Sequence, residues 1–322
     1  MYFAVKNTIK KSEKAASSVY CDTLIEMAKK NDKICVLGAD LQRSCGPAPF
    51  RDVFPERYFD VGIAEANMTG IASGLSNRGY IPFTNSFAPF AVRRCLDQIY
   101  LSGSYQQMNL KIVGASPGVL AMVTGGTHMA FDDVADCIAI PQMTVVEPSD
   151  EEQLRNLLPK IAEMNGMVYL RFDRSNMYSF YEEGCDFEIG KSAVVRDGKD
   201  VTIIATGSIC LNEAMKASNL LQAKGVSARV IDMYTIKPLD EETVIRAAKE
   251  TGAIVTVENA NVISSMGSLV AQVLAKKEYA PLETIGAQDR FGEVGVVDYL
   301  IKAFHMTAED IAAAAEKAIS RK

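Results

Sequence analysis

Glu65 lies in DVGIAEANMTG, between a run that reads as the end of a strand and a small-residue run that reads as the start of a helix. Ligands in open α/β sheets bind at the carboxyl ends of strands, so a carboxylate at this junction could share a proton with a bound group. An acid there could equally do no more than satisfy the first-turn N–H groups of a helix, and position alone leaves both readings open. Phe87 and Phe90 stand at the entry to TNSFAPFAVRRCLDQIY, where they could offer a flat apolar face to a ring or simply pack a core. His128 follows Gly125-Gly126 in a long turn-rich segment, ASPGVLAMVTGGTHMAFDD. Long loops in compact folds tend to be functional, and His128 is the one histidine in the first half that could move protons near neutral pH. A structural loop histidine is the competing reading.

No G-x-G-x-x-G after a strand, no G-x-x-x-x-G-K-[ST] and no G-D-G with a downstream Asn occurs, so a glycine-rich phosphate cradle is missing. The 7 cysteines are scattered without a C-x-x-C pair, and only His128 and His305 could help them bind a metal. Free thiols in a reducing cytosol are expected, with no metal site and no disulfide framework.

Short β-rich runs alternate with longer segments of helical period, the signature of parallel α/β units that would carry these residues at strand ends. Strands are expected over 34–40, 57–62, 80–85, 110–116, 143–148 and 167–172, with helices near 13–30, 64–77, 87–104 and 150–164. The pattern breaks into polar, turn-rich sequence around 180–200 and then resumes with strands over 201–208, 228–235, 253–259 and 281–287 and a closing Ala-rich helix. Two α/β domains are therefore expected, 1–185 and 186–322, the second smaller. A chain of 322 residues with 48% hydrophobic and 23% charged residues is globular in composition, and order is expected beyond the first ten residues or so. A net charge of −6 without a basic cluster argues against nucleic acid. No apolar run approaches a membrane span or a signal peptide, which predicts a cytoplasmic protein with no membrane association.

Taken in order, DVGIAEANMTGIASGL, NSFAPFAVRRCLDQI, KIVGASPG, GGTHMAFDDVADCIAIPQMTVVEPSD, YLRFDRSN and QDRFGEVG resemble the second half of transketolase, and most of all the free-standing C-terminal subunit of a split transketolase. The resemblance implies two three-layer α/β domains, a thiamine-diphosphate pyrimidine-binding fold followed by a transketolase C-terminal domain. It implies that Glu65 meets N1′ of the aminopyrimidine of thiamine diphosphate, where sharing a proton assists deprotonation at the thiazolium carbon. That role asks for a dry pocket, with which the flanks Ile63, Ala64, Ala66 and Met68 are compatible. Phe87 and Phe90 fall on the aromatics that pack against the pyrimidine, His128 on a histidine that hydrogen-bonds substrate hydroxyls, and Arg174 on the arginine that grips the sugar phosphate. Asp40 matches an acid lining the cofactor region, and Ser44 a phosphate contact. The diphosphate and its Mg2+ would be held mainly by a separate N-terminal subunit, which accounts for the missing cradle. A homodimer of this subunit inside an α2β2 assembly follows, with apolar surface exposed when the partner is absent.

The departures concern substrate residues. Thr124 stands where the family has an acid near an acceptor hydroxyl, Ser116 where it has a histidine, Met129 where it has a glutamine after the histidine, and Ser17 near an expected arginine. The second domain's E-x-H reads Glu258-Asn259-Ala260. Such losses predict transfer of a two-carbon ketol unit with a branched, sulfonated or otherwise modified sugar, since each unmatched polar group costs roughly 1–3 kcal/mol. A 2-oxo acid dehydrogenase beta-type or deoxyxylulose phosphate synthase-like subunit is one alternative, and a non-catalytic scaffold or regulatory subunit is another.

Overall fold

The computed structural model describes residue 3 and residues 5–322. Its strands are β1 (Val5–Lys11), β2 (Ile34–Gly38), β3 (Tyr58–Asp60), β4 (Ile81–Phe87), β5 (Lys111–Ala115), β6 (Thr144–Val146), β7 (Val168–Phe172) and β8 (Tyr178–Tyr181), followed by β9 (Ala193–Arg196), β10 (Val201–Ala205), β11 (Ala228–Asp232), β12 (Thr235–Lys237), β13 (Ile254–Asn261) and β14 (Leu282–Ala287). They form a 7-stranded sheet in the order β12-β6-β7-β5-β4-β2-β3, a 5-stranded sheet β14-β13-β10-β11-β9, and the ribbon β1-β8.

The central strands of the large sheet are parallel and buried on both faces, which is why they read as unbroken apolar runs. Alternation then sorts their side chains. Ile34, Val36, Phe83 and Leu170 meet the helices Ala16–Lys30 and Glu151–Glu163, while Cys35, Leu37, Ile112 and Tyr169 share a cluster with Met68 and Ala72 of the helix Glu65–Asn77. Asp150 caps the helix Glu151–Glu163 by accepting from the N–H groups of Glu152 and Gln153 at 2.6 and 3.4 Å. All 7 cysteines are buried, and among the described residues no helix is long and apolar enough to cross a membrane.

The structure departs from the sequence expectations in three places. The stretch from Val5, expected to lack order, is a strand, because Val5 and Lys11 register against Tyr181 and Tyr178 at the other end of the first half. The polar segment around 180–200 contains β9, an antiparallel edge strand, and β12, which follows the expected boundary, joins the large sheet against β6. The helix expected over 87–104 is broken into a short helix Ala88–Ala91, a 3-10 turn Arg93–Cys95, the turn Leu96–Gln98 and a π-helix Ile99–Ser104. Val92 is distorted from ideal helical values, at φ −113° and ψ −76°, and Gly103 lies so close to Met167 that a Cβ there would sit 2.6 Å from its methyl carbon.

A buried arginine joins the two halves. Arg171 of β7 donates to Asp133 (2.9 Å), to Glu147 (2.8 Å) and to the carbonyl of Asn259 in β13 (3.1 Å), with no exposed surface of its own. Burial alone would lower the arginine's affinity for its proton, but the two carboxylates reverse this and hold it firmly charged. Burial raises both carboxyls, and the arginine opposes the shift.

Candidate active site

The sheet delivers five of its carboxyl ends to one edge. Asp40 follows β2, the helix carrying Glu65 follows β3, Phe87 ends β4, Ser116 follows β5 and Arg174 follows β7. Parallel order therefore gathers residues that are far apart in sequence, as it does in open α/β sheets generally.

Glu65 is 2% exposed and opens the helix Glu65–Asn77. The helix start has no side-chain cap; both carboxylate oxygens instead accept from Nη1 of Arg94, at 3.0 and 2.9 Å. Arg94 sits on the 3-10 turn Arg93–Cys95, and its guanidinium lies over the Phe90 ring at 4.2 Å from the centroid. The Phe87 and Phe90 rings are 6.4 Å apart and tilted, and His128 meets both edge-on, at 6.0 and 5.0 Å. Thr127 Oγ1 pairs with Nδ1 of His128 at 2.9 Å, which leaves Nε2 free of that contact.

Arg174 lies over the Phe87 ring at 5.0 Å from its centroid, and its Nη1 donates to the Ser44 carbonyl at 2.9 Å. The Arg174 carbonyl accepts from the N–H of Ser17 at 3.1 Å, so Ser17 belongs to the same neighbourhood. A cavity of about 60 Å³ lies between Phe87, Ser116, Thr124, His128 and Arg174, with Met122 and Val123 on its apolar side. Two residues of its wall, Ser116 and Met122, have positive φ, at 52° and 51°, as does Asp40 after β2, at 59°.

The remaining expected residues are placed differently. Ile63 is 76% exposed and does not wall Glu65 within this chain. Asp40 is exposed, and its N–H donates to Asp60 Oδ1 at 3.1 Å. Thr124 donates its hydroxyl to the Ala121 carbonyl at 2.5 Å. Met129 is buried in a cluster with Phe131 and Phe304 and is not part of the cavity wall.

Two residues that the sequence did not single out organise the site. Arg94 is one. Asn259 of β13 is the other, for its Oδ1 accepts from the N–H of Val119 at 2.9 Å and its Nδ2 donates to the Pro117 carbonyl at 3.0 Å. A side chain between those two groups could not be accommodated, since a Cβ on Gly118, at φ 51°, would lie 2.1 Å from Asn259 Oδ1. The second domain thus holds the loop that supplies Ser116 to Thr124. Both stretches, FAPFAVRRC and Glu258-Asn259-Ala260, were visible, but nothing local marks which polar residue in them reaches the site.

The donor set suits an aminopyrimidine. A buried carboxylate beside a flat aromatic ring offers a proton acceptor and a stacking face, and the group now against both is itself planar and rich in N–H donors. Among the described residues no group of three or more His, Cys, Asp or Glu could hold a metal ion. Ile63 (76% exposed), Leu101 (50%) and Tyr105 (79%) present apolar surface to the outside.

Residues 12–179 match the family model of the transketolase pyrimidine binding domain and residues 190–311 that of the transketolase C-terminal domain. The 6-deoxy-6-sulfo-D-fructose transketolase subunit SqwH of Clostridium sp. (strain MSTE9) is 45% identical over 98% of this chain and 97% of its own length. An apulose-4-phosphate transketolase subunit of Phocaeicola vulgatus is 35% identical over 85% of this chain and 88% of its own. A solved split gene transketolase, described as an inactive beta4 tetramer, superposes with a TM-score of 0.87 at 40% identity, covering 95% of this chain and 98% of that one. The chain therefore belongs to the transketolase family of thiamine-diphosphate transferases and carries its pyrimidine-binding and C-terminal domains.

Proposed function

We propose that this chain is the C-terminal subunit of a split transketolase that transfers a two-carbon ketol unit between anionic sugars, at least one of them modified. The observation that carries this reading is the juxtaposition of the buried Glu65 and the Phe90 ring with the His128–Arg174 cavity, at one edge of one parallel sheet. When bound, thiamine diphosphate supplies the carbon centre at which the sugar's carbon–carbon bond is broken and remade. Glu65 holds the shared proton at the pyrimidine nitrogen, in a site where exclusion of water strengthens that contact. Phe87 and Phe90 would orient the ring, and Asp40 and Ile63 would add cofactor contacts. His128 positions substrate hydroxyls and relays protons, and Arg174 binds the anionic end of the sugar. Ser116, Thr124 and Ser44 supply the remaining polar contacts.

The wall carries Thr124 where the family places an acid, with Leu120, Ala121, Met122 and Val123 apolar beside it, which supports a sugar lacking or rearranging the hydroxyl that an acid would read. Relatives that act on 6-deoxy-6-sulfo-D-fructose and on apulose 4-phosphate support the same class. The diphosphate and Mg2+ belong to an N-terminal partner subunit, and the complex is an α2β2 assembly in the cytoplasm, with this chain divided at residue 186. The inactive beta4 relative supports the need for that partner.

To test this, the chain is mixed with an N-terminal transketolase subunit, thiamine diphosphate and Mg2+. Two-carbon transfer is followed from phosphorylated and sulfonated ketoses, each offered with several aldose acceptors. Turnover is expected with at least one modified sugar. No turnover with any pair would sink the proposal, and decarboxylation of pyruvate instead would replace it with a deoxyxylulose phosphate synthase-like or oxo acid reading.

A further inference from the structure

Arg94 stands where the proposed cofactor contact has to be made. One nitrogen spans both oxygens of Glu65, and the guanidinium plane covers the Phe90 ring. A guanidinium and a protonated aminopyrimidine resemble each other in what these two groups recognise. Both are flat, both point N–H donors along their own plane, and both spread positive charge that an aromatic face attracts. Glu65 and Phe90 cannot give the same oxygens and the same face to two such groups at once.

The energetics favour a removable group over a fixed one. Glu65 is 2% exposed, so without a cation its carboxylate would be desolvated and unpaired, whereas the Arg94 side chain is 46% exposed and leads outward to solvent. The arginine can therefore leave without crossing packed core.

We propose that Arg94 is a displaceable placeholder for the pyrimidine ring. In the cofactor-free chain it neutralises Glu65 and keeps the gap beside Phe90 from collapsing, and on binding it yields both to the ring. The inference rests on the reading of Glu65 as the pyrimidine contact. Its cost is thermodynamic: the cofactor must displace the ion pair, which weakens its apparent affinity by the ratio of closed to open arginine.

The test uses the complex reconstituted with the N-terminal subunit, in the presence of Mg2+. Thiamine diphosphate is titrated calorimetrically into the wild type, Arg94→Gln, Glu65→Gln and the double variant, and each is also melted with and without saturating cofactor. Arg94→Gln is expected to melt lower without cofactor and to bind thiamine diphosphate about three- to tenfold more tightly. Coupling between positions 65 and 94 should be present without cofactor and absent with it. Arg94→Lys keeps the charge but loses the planar fork, so it too should bind the cofactor more tightly, and it carries the test if Arg94→Gln does not fold. Unchanged or weaker binding in the arginine variants, or coupling that survives saturation, overturns the placeholder. A Glu65→Gln complex that binds cofactor and transfers ketol units as the wild type does would instead overturn the underlying reading of Glu65.

Discussion

Replacing Asn259 with alanine should loosen the loop that lines the proposed substrate cavity without touching the proposed cofactor platform. The side chain makes two buried bonds across 140 and 142 residues of sequence, one to the Val119 N–H and one to the Pro117 carbonyl. Truncation strands both backbone groups, and each unsatisfied buried group costs about 1–3 kcal/mol. Water entering the space left by the amide would recover part of that, so a net loss of about 2–4 kcal/mol is expected. Asn259→Asp offers a useful contrast: it can still accept from Val119, but it sets a carboxylate oxygen against the Pro117 carbonyl, and should be no milder. Urea unfolding measures the stability change. Kinetics of the reconstituted complex should show a raised KM for the sugar acceptor, while the thiamine diphosphate Kd stays within about twofold, because Glu65 and Phe90 sit on other elements. A variant with wild-type stability and wild-type KM would refute the claim that the second domain positions this loop.

Arg171→Met should cost about 3–5 kcal/mol by leaving Asp133 and Glu147 buried without a cation, with much of that recovered when Asp133→Asn and Glu147→Gln are added; thermal and urea melts decide. Glu258 is fully buried, and its carboxyl is pushed up to about 7 by that burial, despite the N–H groups of Gly267 and Met266 that it accepts. Its folded value lies above its unfolded one, so the stability it contributes is complete below the ordinary value of 4.5 and is lost as pH rises through about 7. Denaturation from pH 5 to 8 should therefore show the wild type losing up to about 3 kcal/mol of stability relative to Glu258→Gln; a constant difference, or a wild type that gains on the variant, contradicts the assignment.

The large sheet was legible because its central strands are apolar runs separated by helical periods, and a parallel order then required their carboxyl ends to converge. The ribbon and one edge of each sheet were not legible. The strands β1, β8, β9 and β12 are short or polar, and their pairing depends on partners that local pattern does not reveal. The broken helix after Phe90 was hidden for a related reason: FAVRRCLDQIYLSG has an unbroken helical appearance, and its distortion comes with the packing of Gly103 against Met167. Within the site, residues held by strand ends could be proposed from motif and position. Arg94 and Asn259 could not, since their roles exist only through contacts made across the fold. The burial of Glu65 is of the same kind, because Ile63 beside it is exposed and Arg94 provides its polar cover.

The most direct measurement is ketol transfer by the reconstituted complex carrying Glu65→Gln. The amide keeps the size of the side chain and removes the carboxylate proposed to share the cofactor's proton. Transfer should fall by at least about 100-fold while the two subunits still assemble to the same size. Undiminished transfer in an intact assembly would contradict the assignment of Glu65 and, with it, the central claim.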